Sequence, residues 1–170
     1  MCIRDSYSPC ALPFVISGEV DINAIVDDLI SMCEKSGIKC IIDTVISIDS
    51  ENRIVRTKEG REFPYKSLII ATGGSPFVPE IRGSNLEGVY TLKTIDDVEK
   101  ILKRIKKSKR VAVIGGGAIG VEVSSALVKR NLDVTLVERY PHVLAKAFDS
   151  EFSAIIEGKL RDNGINLLLN

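Results

Sequence analysis

Three glycines in the sequence, Gly115, Gly117 and Gly120, have the GxGxxG spacing that suits binding of a dinucleotide pyrophosphate. In such a motif the first glycine permits a tight turn from strand to helix, the second lets the backbone approach the pyrophosphate, and the third lets helix and strand pack closely. The helix that follows offers free N–H groups and the positive end of its dipole to the phosphates. We therefore predict a dinucleotide site that also includes Ala118 and Ile119.

An acidic residue, Glu138, ends the next apolar run, 23 residues after Gly115. A carboxylate at a distance of about 20 residues is expected to bind the ribose 2′-hydroxyl of a dinucleotide. Because the same carboxylate would repel a 2′-phosphate, the sequence favours NAD over NADP. The alternative is a glycine-rich turn in another kind of α/β protein. The presence of strand, helix and acid together favours the nucleotide site.

The hydrophobic pattern of the second half of the chain predicts the elements that position these residues. Residues 111–114 are apolar and predict a buried strand, 121–130 predict the helix after the glycines, and 133–138 predict a second strand. Thr94, with two acidic residues behind it, predicts the start of a helix that ends near residue 107. Residues 164–170 predict a third parallel strand. This alternation of strands and helices predicts an α/β fold.

The first half of the chain has a less regular pattern. Helical spacing over residues 21–37 predicts one helix, and residues 38–48 and 53–57 predict strands joined by a polar turn. Residues 65–74 predict a short buried strand that runs into a glycine turn. Residues 75–88 are rich in proline and glycine and predict a linker between domains.

The composition limits the partners and the location that we expect. The 170 residues are 45% hydrophobic and carry 23 basic and 23 acidic side chains, which gives no electrostatic reason to expect nucleic acid or an anionic membrane as a partner. No apolar run approaches the roughly 18 residues that suggest a membrane span. The four cysteines form no CxxC pair, so we predict no metal site, no disulfide framework and a reducing, cytoplasmic setting. They are Cys2, Cys10, Cys33 and Cys40.

Three blocks of the sequence together resemble a known family of enzymes. Residues 7–14 (YSPCALPF) resemble a redox-cysteine segment, residues 68–73 (LIIATG) resemble an ATG motif that ends a flavin-binding segment, and residues 111–122 resemble an NAD fingerprint of the form GxGxxGxE. In this order and spacing, the blocks resemble those of the flavin-dependent pyridine nucleotide-disulfide oxidoreductases. The resemblance is to the single-cysteine branch, which includes coenzyme A-disulfide reductases and related NADH oxidases.

The resemblance implies a fold and two cofactors, FAD and NAD. It implies that residues 1–88 are part of a three-layer FAD-binding domain with a β-strand excursion, and that residues 89–170 begin a Rossmann-like NAD-binding domain with a parallel sheet. Glu122 corresponds to an acid near the contact of nicotinamide and flavin, although a solvent-facing helix residue is an equal alternative. The implied flavin contacts are Val45, Ala71, Thr72 and Gly73.

The same resemblance implies that Cys10 is the catalytic residue. Pro13 suits the first turn of a following helix, and a helix N-terminus near the thiol would stabilise the thiolate, the form that attacks a disulfide sulfur. Val15 stands where the dithiol branch of the family has its second cysteine. Cys10 would therefore form a mixed disulfide with a small thiol, or a sulfenic acid after meeting peroxide. The alternative is a buried structural cysteine, which is the interpretation that we favour for Cys33 and Cys40.

The resemblance also implies that the chain is a fragment of a longer, homodimeric parent. The parent would pass electrons from NADH through FAD to Cys10 and then to a small disulfide, persulfide, peroxide or oxygen acceptor. Two alternatives stay open: an NADH oxidase or rubredoxin reductase that does not use the cysteine, and a nucleotide-binding fragment without turnover. Residues 1–6 (MCIRDS) resemble a translated adapter, and we expect His142 to be solvated in a loop.

Overall fold

A computed structural model describes residues 5–170 and divides the chain into two compact units. Residues 27–75 belong to the first unit, together with residues 5 and 6. Residues 7–26 and 76–170 form the second. Cys2 and most of the adapter-like hexapeptide lie outside the described residues. The expected domain boundary at residue 88 stays a prediction.

The described part of the chain starts with short elements. The strands β1 (Asp5–Tyr7) and β2 (Val26–Asp28) pair with each other, and a six-residue helix, α1 (Leu12–Ser17), lies between them in sequence. The prediction of one helix over residues 21–37 is wrong. Asp28 accepts hydrogen bonds from the backbone of Ile30 and Ser31 and so begins a separate helix, α2 (Leu29–Lys35).

The first unit contains an antiparallel sheet of three strands, β3 (Val45–Asp49), β4 (Ile54–Thr57) and β5 (Glu62–Pro64), in the order β3-β4-β5. Arg56 of the central strand forms ion pairs with Asp49 at 3.5 Å and with Glu62 at 2.8 Å, one on each neighbouring strand. This sheet is the strand excursion that the sequence predicted. Its first strand begins at residue 45 rather than 38.

The prediction of a buried strand over residues 65–74 is wrong. Residues 67–81 have no regular secondary structure, and the side chains of Ile69 and Ile70 are 89% and 67% exposed. A strand exists only where a neighbouring strand completes its hydrogen bonds. Within the described chain, no strand pairs with this segment.

The second unit is built on a parallel sheet, β6 (Arg110–Ile114), β7 (Asp133–Val137) and β8 (Ile165–Leu168), in the order β6-β7-β8. The connecting helices are α4 (Ala118–Val128) and α5 (Ser150–Asp162). The helix α3 (Ile95–Ile105) precedes the sheet and begins with a reciprocal capping box between Thr94 and Asp97. The Rossmann-like α/β fold predicted from the sequence is confirmed.

The core of the second unit lies between one face of the parallel sheet and its helices. Alternate residues of the strands point inward, so that Val134, Leu136 and Ile165 are at most 2% exposed, and Leu127 of α4 packs with them. Among the described residues, no helix is both long and apolar enough to cross a membrane.

Candidate dinucleotide-binding site

The glycine motif forms the turn between β6 and α4. Gly115 has a φ of +107°, in the region that favours glycine, and its N–H donates to the carbonyl of Val137 at 2.8 Å. Gly117 is the N-cap residue of α4, and its side-chain position opens onto space with no atom within 4 Å. The chain thus leaves the sheet edge by a turn that few other residues would permit.

Gly120 lies in the first turn of α4 against the preceding turn. A Cβ atom built at Gly120 would overlap the carbonyl oxygen of Gly115, and its carbonyl carbon would be only 3.0 Å away. The backbone of the helix therefore approaches that of the turn more closely than any side chain would allow. Because of this contact, the N-terminal end of α4 faces the open space beside Gly117.

The start of α4 is available to an anionic ligand. Gly117, Ala118 and Ile119 are exposed, and no side chain caps the helix. The first N–H groups of a helix have no acceptor within the helix, and phosphate oxygens can accept hydrogen bonds from them. The residues predicted to cradle a pyrophosphate therefore lie together, and their roles toward a cofactor stay predictions.

Glu138 is the acidic residue at the edge of this turn. Its carboxylate accepts hydrogen bonds from the N–H of Gly116 at 2.6 Å and from the N–H of Tyr140 at 2.9 Å. Partial burial raises the pKa of Glu138, but the hydrogen bonds from the backbone of Tyr140, Gly116 and Arg139 outweigh it and leave the pKa below its ordinary value. The side chain is therefore ionised at neutral pH, and in this form it can only accept hydrogen bonds.

Two cations beside Tyr140, two residues after Glu138, were missed by sequence reasoning. The Arg139 guanidinium lies 5.0 Å from the centre of the Tyr140 ring, and the Lys146 ammonium lies 5.6 Å from it. A hydrogen bond from Arg139 and the charges of both cations lower the pKa of the Tyr140 hydroxyl. An arginine directly after the acid was the available sequence signal, but the position of Lys146 depends on the loop.

Cys10 lies in a single 3₁₀ turn, Pro9–Ala11, directly before α1, and its side chain is exposed and free. The alternative of a buried structural cysteine is therefore wrong. Pro13 occupies the first turn of α1, as predicted. The redox role of the thiol stays a prediction.

A shallow groove of about 190 Å³ lies between α1 and α4, and Phe14 and Glu122 line it. Glu122 is exposed on α4. The ion pair between Glu19 and Lys129 stands at the same groove. The structure thus brings the segment after Cys10 together with Glu122, two regions that are more than 100 residues apart in sequence.

The residues predicted to contact flavin belong to the first unit. Val45 is the first residue of β3 and is 54% exposed. Ala71, Thr72 and Gly73 lie in the exposed coil, where Gly73 has a φ of +72° and no neighbour within 4 Å of its side-chain position. Their contact with flavin stays a prediction.

Three other expectations need correction. His142 is not simply solvated, since its Nδ1 lies 3.1 Å from the buried carboxylate of Glu157. Cys33 and Cys40 are half-buried rather than core residues, and Cys40 lies in coil rather than in a strand. Burial and a hydrogen bond with the Cys40 thiol raise the pKa of Cys33.

The turn, the parallel sheet and the strand excursion together agree with a known family. The family model described as pyridine nucleotide-disulphide oxidoreductase matches residues 5–170. The chain belongs to this family. Members of this pyridine nucleotide-disulphide oxidoreductase family are flavoproteins that use NADH or NADPH.

Relatives within the family are named for different reactions of NADH or NAD(+). An NADH oxidase from Methanocaldococcus jannaschii is 39% identical over 177 residues, covering 97% of this chain and 39% of the relative. A rubredoxin-NAD(+) reductase from Pseudomonas putida is 35% identical over 126 residues, covering 74% of this chain and 33% of the relative. This family member therefore spans about two fifths or less of the length of these relatives.

Solved structures of the family have the same fold. A NAD-dependent persulfide reductase from A. fulgidus superposes with a TM-score of 0.85 at 29% identity, over 96% of this chain and 33% of that one. A water-forming NADH oxidase from Lactobacillus brevis, bound to NADH, superposes with a TM-score of 0.82 at 28% identity, over 96% of this chain and 38% of that one.

Proposed function

We propose that the whole protein is a flavin-dependent oxidoreductase that takes electrons from NADH, and that this chain supplies the NADH site and the redox cysteine. The observation that carries the proposal is the turn at residues 115–120, where a close backbone contact at Gly120 leaves open space over Gly117 and the uncapped start of α4. This is the geometry that a pyrophosphate requires.

In this proposal, different residues around the turn bind different parts of NADH. The N–H groups at the start of α4 hold the pyrophosphate, and the ionised carboxylate of Glu138 accepts hydrogen bonds from the adenosine ribose. The charge of Glu138 disfavours the 2′-phosphate of NADPH. Glu122, on the groove beside Phe14, lies toward the nicotinamide end in this proposal.

The first unit holds FAD in this proposal. Val45 contacts the adenine, and the small residues Ala71, Thr72 and Gly73 let the backbone approach the flavin closely. Bound FAD supplies the transfer of electrons between NADH and the acceptor site.

Cys10 would be the redox-active residue of the acceptor site. Its thiolate attacks one sulfur of a small disulfide, forms a mixed disulfide and releases the other sulfur as a thiolate. Two electrons and one proton would then break the sulfur–sulfur bond of the mixed disulfide, which would regenerate the Cys10 thiolate and release the second thiol. The exposed position of Cys10 supports this step because a substrate disulfide needs access to the sulfur.

An oxidase or rubredoxin reductase that does not use the cysteine is the second candidate, because the NADH oxidase and the rubredoxin reductase are both relatives. Replacement of Cys10 by Ser in the whole protein distinguishes the two. We expect the variant to lose turnover with small disulfides while it keeps NADH binding. Unchanged disulfide turnover would assign the activity to the second candidate. The acceptor, a homodimeric parent and a cytoplasmic location stay predictions.

Binding of NADH by the 170-residue chain tests the nucleotide site itself. We expect quenching or enhancement of NADH fluorescence that saturates, and weaker binding of NADPH. The Glu138→Gln variant, which keeps the shape of the side chain, should reduce the preference for NADH. A folded chain that binds neither nucleotide would overturn the proposal.

A further inference from the structure

A buried carboxylate outside the nucleotide site connects α5 to the loop that follows Glu138. The side chain of Glu157 is only 7% exposed. Its Oε1 accepts a hydrogen bond from the N–H of Val143 at 3.2 Å and lies 3.1 Å from Nδ1 of His142. Its Oε2 faces Arg161, one helical turn later, at 3.5 Å. A carboxylate is rarely buried without such partners, so this cluster fixes residues 142 and 143.

The next residue of the loop, Leu144, contacts the glycine turn. Leu144 has a φ of +56°, a conformation that branched side chains rarely adopt, so it persists only where its surroundings enforce it. In this conformation the Leu144 N–H donates to the carbonyl of Gly116 at 2.8 Å. The N–H of Gly116 in turn donates to Oε2 of Glu138 at 2.6 Å.

The N–H and C=O of Gly116 therefore both have fixed partners. The residue is buried, and a Cβ built there would lie 3.0 Å from the Cβ of Glu138, so its backbone lies against that side chain. A continuous path of hydrogen bonds and main-chain bonds runs from Glu157 to the N–H of Val143, along the chain to Leu144, and through Gly116 to the carboxylate of Glu138.

We propose that Glu157 is a positioning residue for the adenosine end of the dinucleotide site. It holds residues 142 and 143, which place Leu144 on the carbonyl of Gly116 and so keep the Glu138 carboxylate oriented toward the ribose. The inference rests on the proposed function, because it assumes that Glu138 binds the ribose 2′-hydroxyl. Glu157 itself does not touch the nucleotide.

A purely structural role of Glu157 would have a different signature. Loss of stability alone weakens binding of all nucleotides alike, whereas loss of Glu138 orientation weakens only the binding that depends on the 2′-hydroxyl. The informative probes are therefore ADP-ribose and 2′-deoxy-ADP-ribose (2′-deoxy on the adenosine ribose), which differ only in the group that Glu138 is proposed to bind.

The test compares three variants of the 170-residue chain with the unsubstituted chain by calorimetric titration. We expect Glu157→Ala to weaken ADP-ribose binding about tenfold, the effect of one lost hydrogen bond, and to leave 2′-deoxy-ADP-ribose binding within about twofold. Glu157→Gln keeps an oxygen for the Val143 N–H and should bind both probes nearly as the unsubstituted chain does. Ser153→Ala is the matched control, because Ser153 is fully buried on the same helix and its hydroxyl has no hydrogen-bond partner among the described residues.

Each outcome of this test decides something. Equal weakening of both probes by Glu157→Ala, or no weakening of either in a folded variant, would overturn the positioning role while the proposed function stands. If Glu157→Ala does not fold, Glu157→Asp is used instead, because its shorter side chain keeps the charge but moves it away from the Val143 N–H. The ratio of the affinities for ADP-ribose and 2′-deoxy-ADP-ribose is then the readout for this variant. Failure of the folded, unsubstituted chain to bind ADP-ribose would overturn the proposed function and this inference with it.

Discussion

At the scale of single residues, the proposed site depends on two glycines that lack a side chain, Gly117 and Gly120, and on the charged carboxylate of Glu138. Gly120 and Gly117 are three residues apart in the same motif but have opposite surroundings. The Gly120 position is blocked by the carbonyl of Gly115, whereas the Gly117 position is open. In the proposed site the motif therefore combines one packing requirement with one binding requirement, and mutation can separate the two.

Substitution of alanine at these two glycines should give opposite results. Gly120→Ala forces α4 away from the turn, and we expect a loss of about 1–3 kcal/mol in the free energy of unfolding. Gly117→Ala has room and an ordinary φ of −76°, so stability should change little while NADH binding weakens. Urea unfolding and NADH titration measure the two effects. A fully stable Gly120→Ala variant would contradict the close contact.

The lowered pKa of Glu138 predicts a pH dependence of stability. A carboxyl group whose pKa is lower in the folded state stabilises the fold above its ordinary pKa, about 4.5, and this contribution is lost as the pH falls through the lower folded value. The difference in unfolding free energy between the unsubstituted chain and Glu138→Gln should therefore be constant above about pH 5 and shrink in more acidic solution. Urea unfolding from pH 3 to 7 measures it. A difference that grows on acidification would show the opposite shift.

At the scale of elements, local caps decide where helices begin. Helix α3 was predicted at Thr94 from the sequence, and its capping box confirms that start. The same kind of cap at Asp28 divides what the hydrophobic spacing presented as one helix over residues 21–37. Helix α5 and its buried Glu157 were not predicted, because a carboxylate on the inner face of a helix interrupts the apolar stripe.

The cap of α3 should make a measurable contribution to stability. Replacement of Thr94 by Ala removes the acceptor for the Asp97 N–H, and we expect a cost of about 1 kcal/mol. Thr94→Ser keeps the hydroxyl and is the matched control, with nearly unchanged stability. Thermal and urea unfolding of both variants measure the difference. Equal losses in the two variants would attribute the effect to the methyl group and not to the cap.

At the scale of the whole molecule, some segments have their backbone N–H and C=O groups paired with neighbouring strands, whereas others have no such partners. Strand β7 is paired on both sides, by β6 and by β8. Residues 67–74 have exposed apolar side chains and no regular secondary structure, although the sequence predicts a strand over residues 65–74. The contrast shows that β-propensity is not sufficient where a partner strand is missing.

Amide hydrogen exchange tests this contrast directly. We expect the amides of β7 to exchange slowest in the second unit, and the amides of residues 68–71 to exchange at nearly unprotected rates. Strand β4, which is the paired central strand of its sheet, is the internal control within the first unit. Strong protection of residues 68–71 would show that the strand predicted from the sequence forms after all.

The unit that contains the glycine motif could be predicted from the sequence alone, because the signals for it are local. The glycine spacing, the acid at residue 138 and the hydrophobic runs of β6, β7 and β8 lie within one continuous stretch of chain. Three features depend on partners that are distant in sequence and so could not be predicted: the exposure of Cys10, the coil at residues 67–74, and the contact of Glu157 with the loop after Glu138. Burial and hydrogen-bond satisfaction are properties of neighbours in space, which hydrophobic periodicity along the chain does not specify.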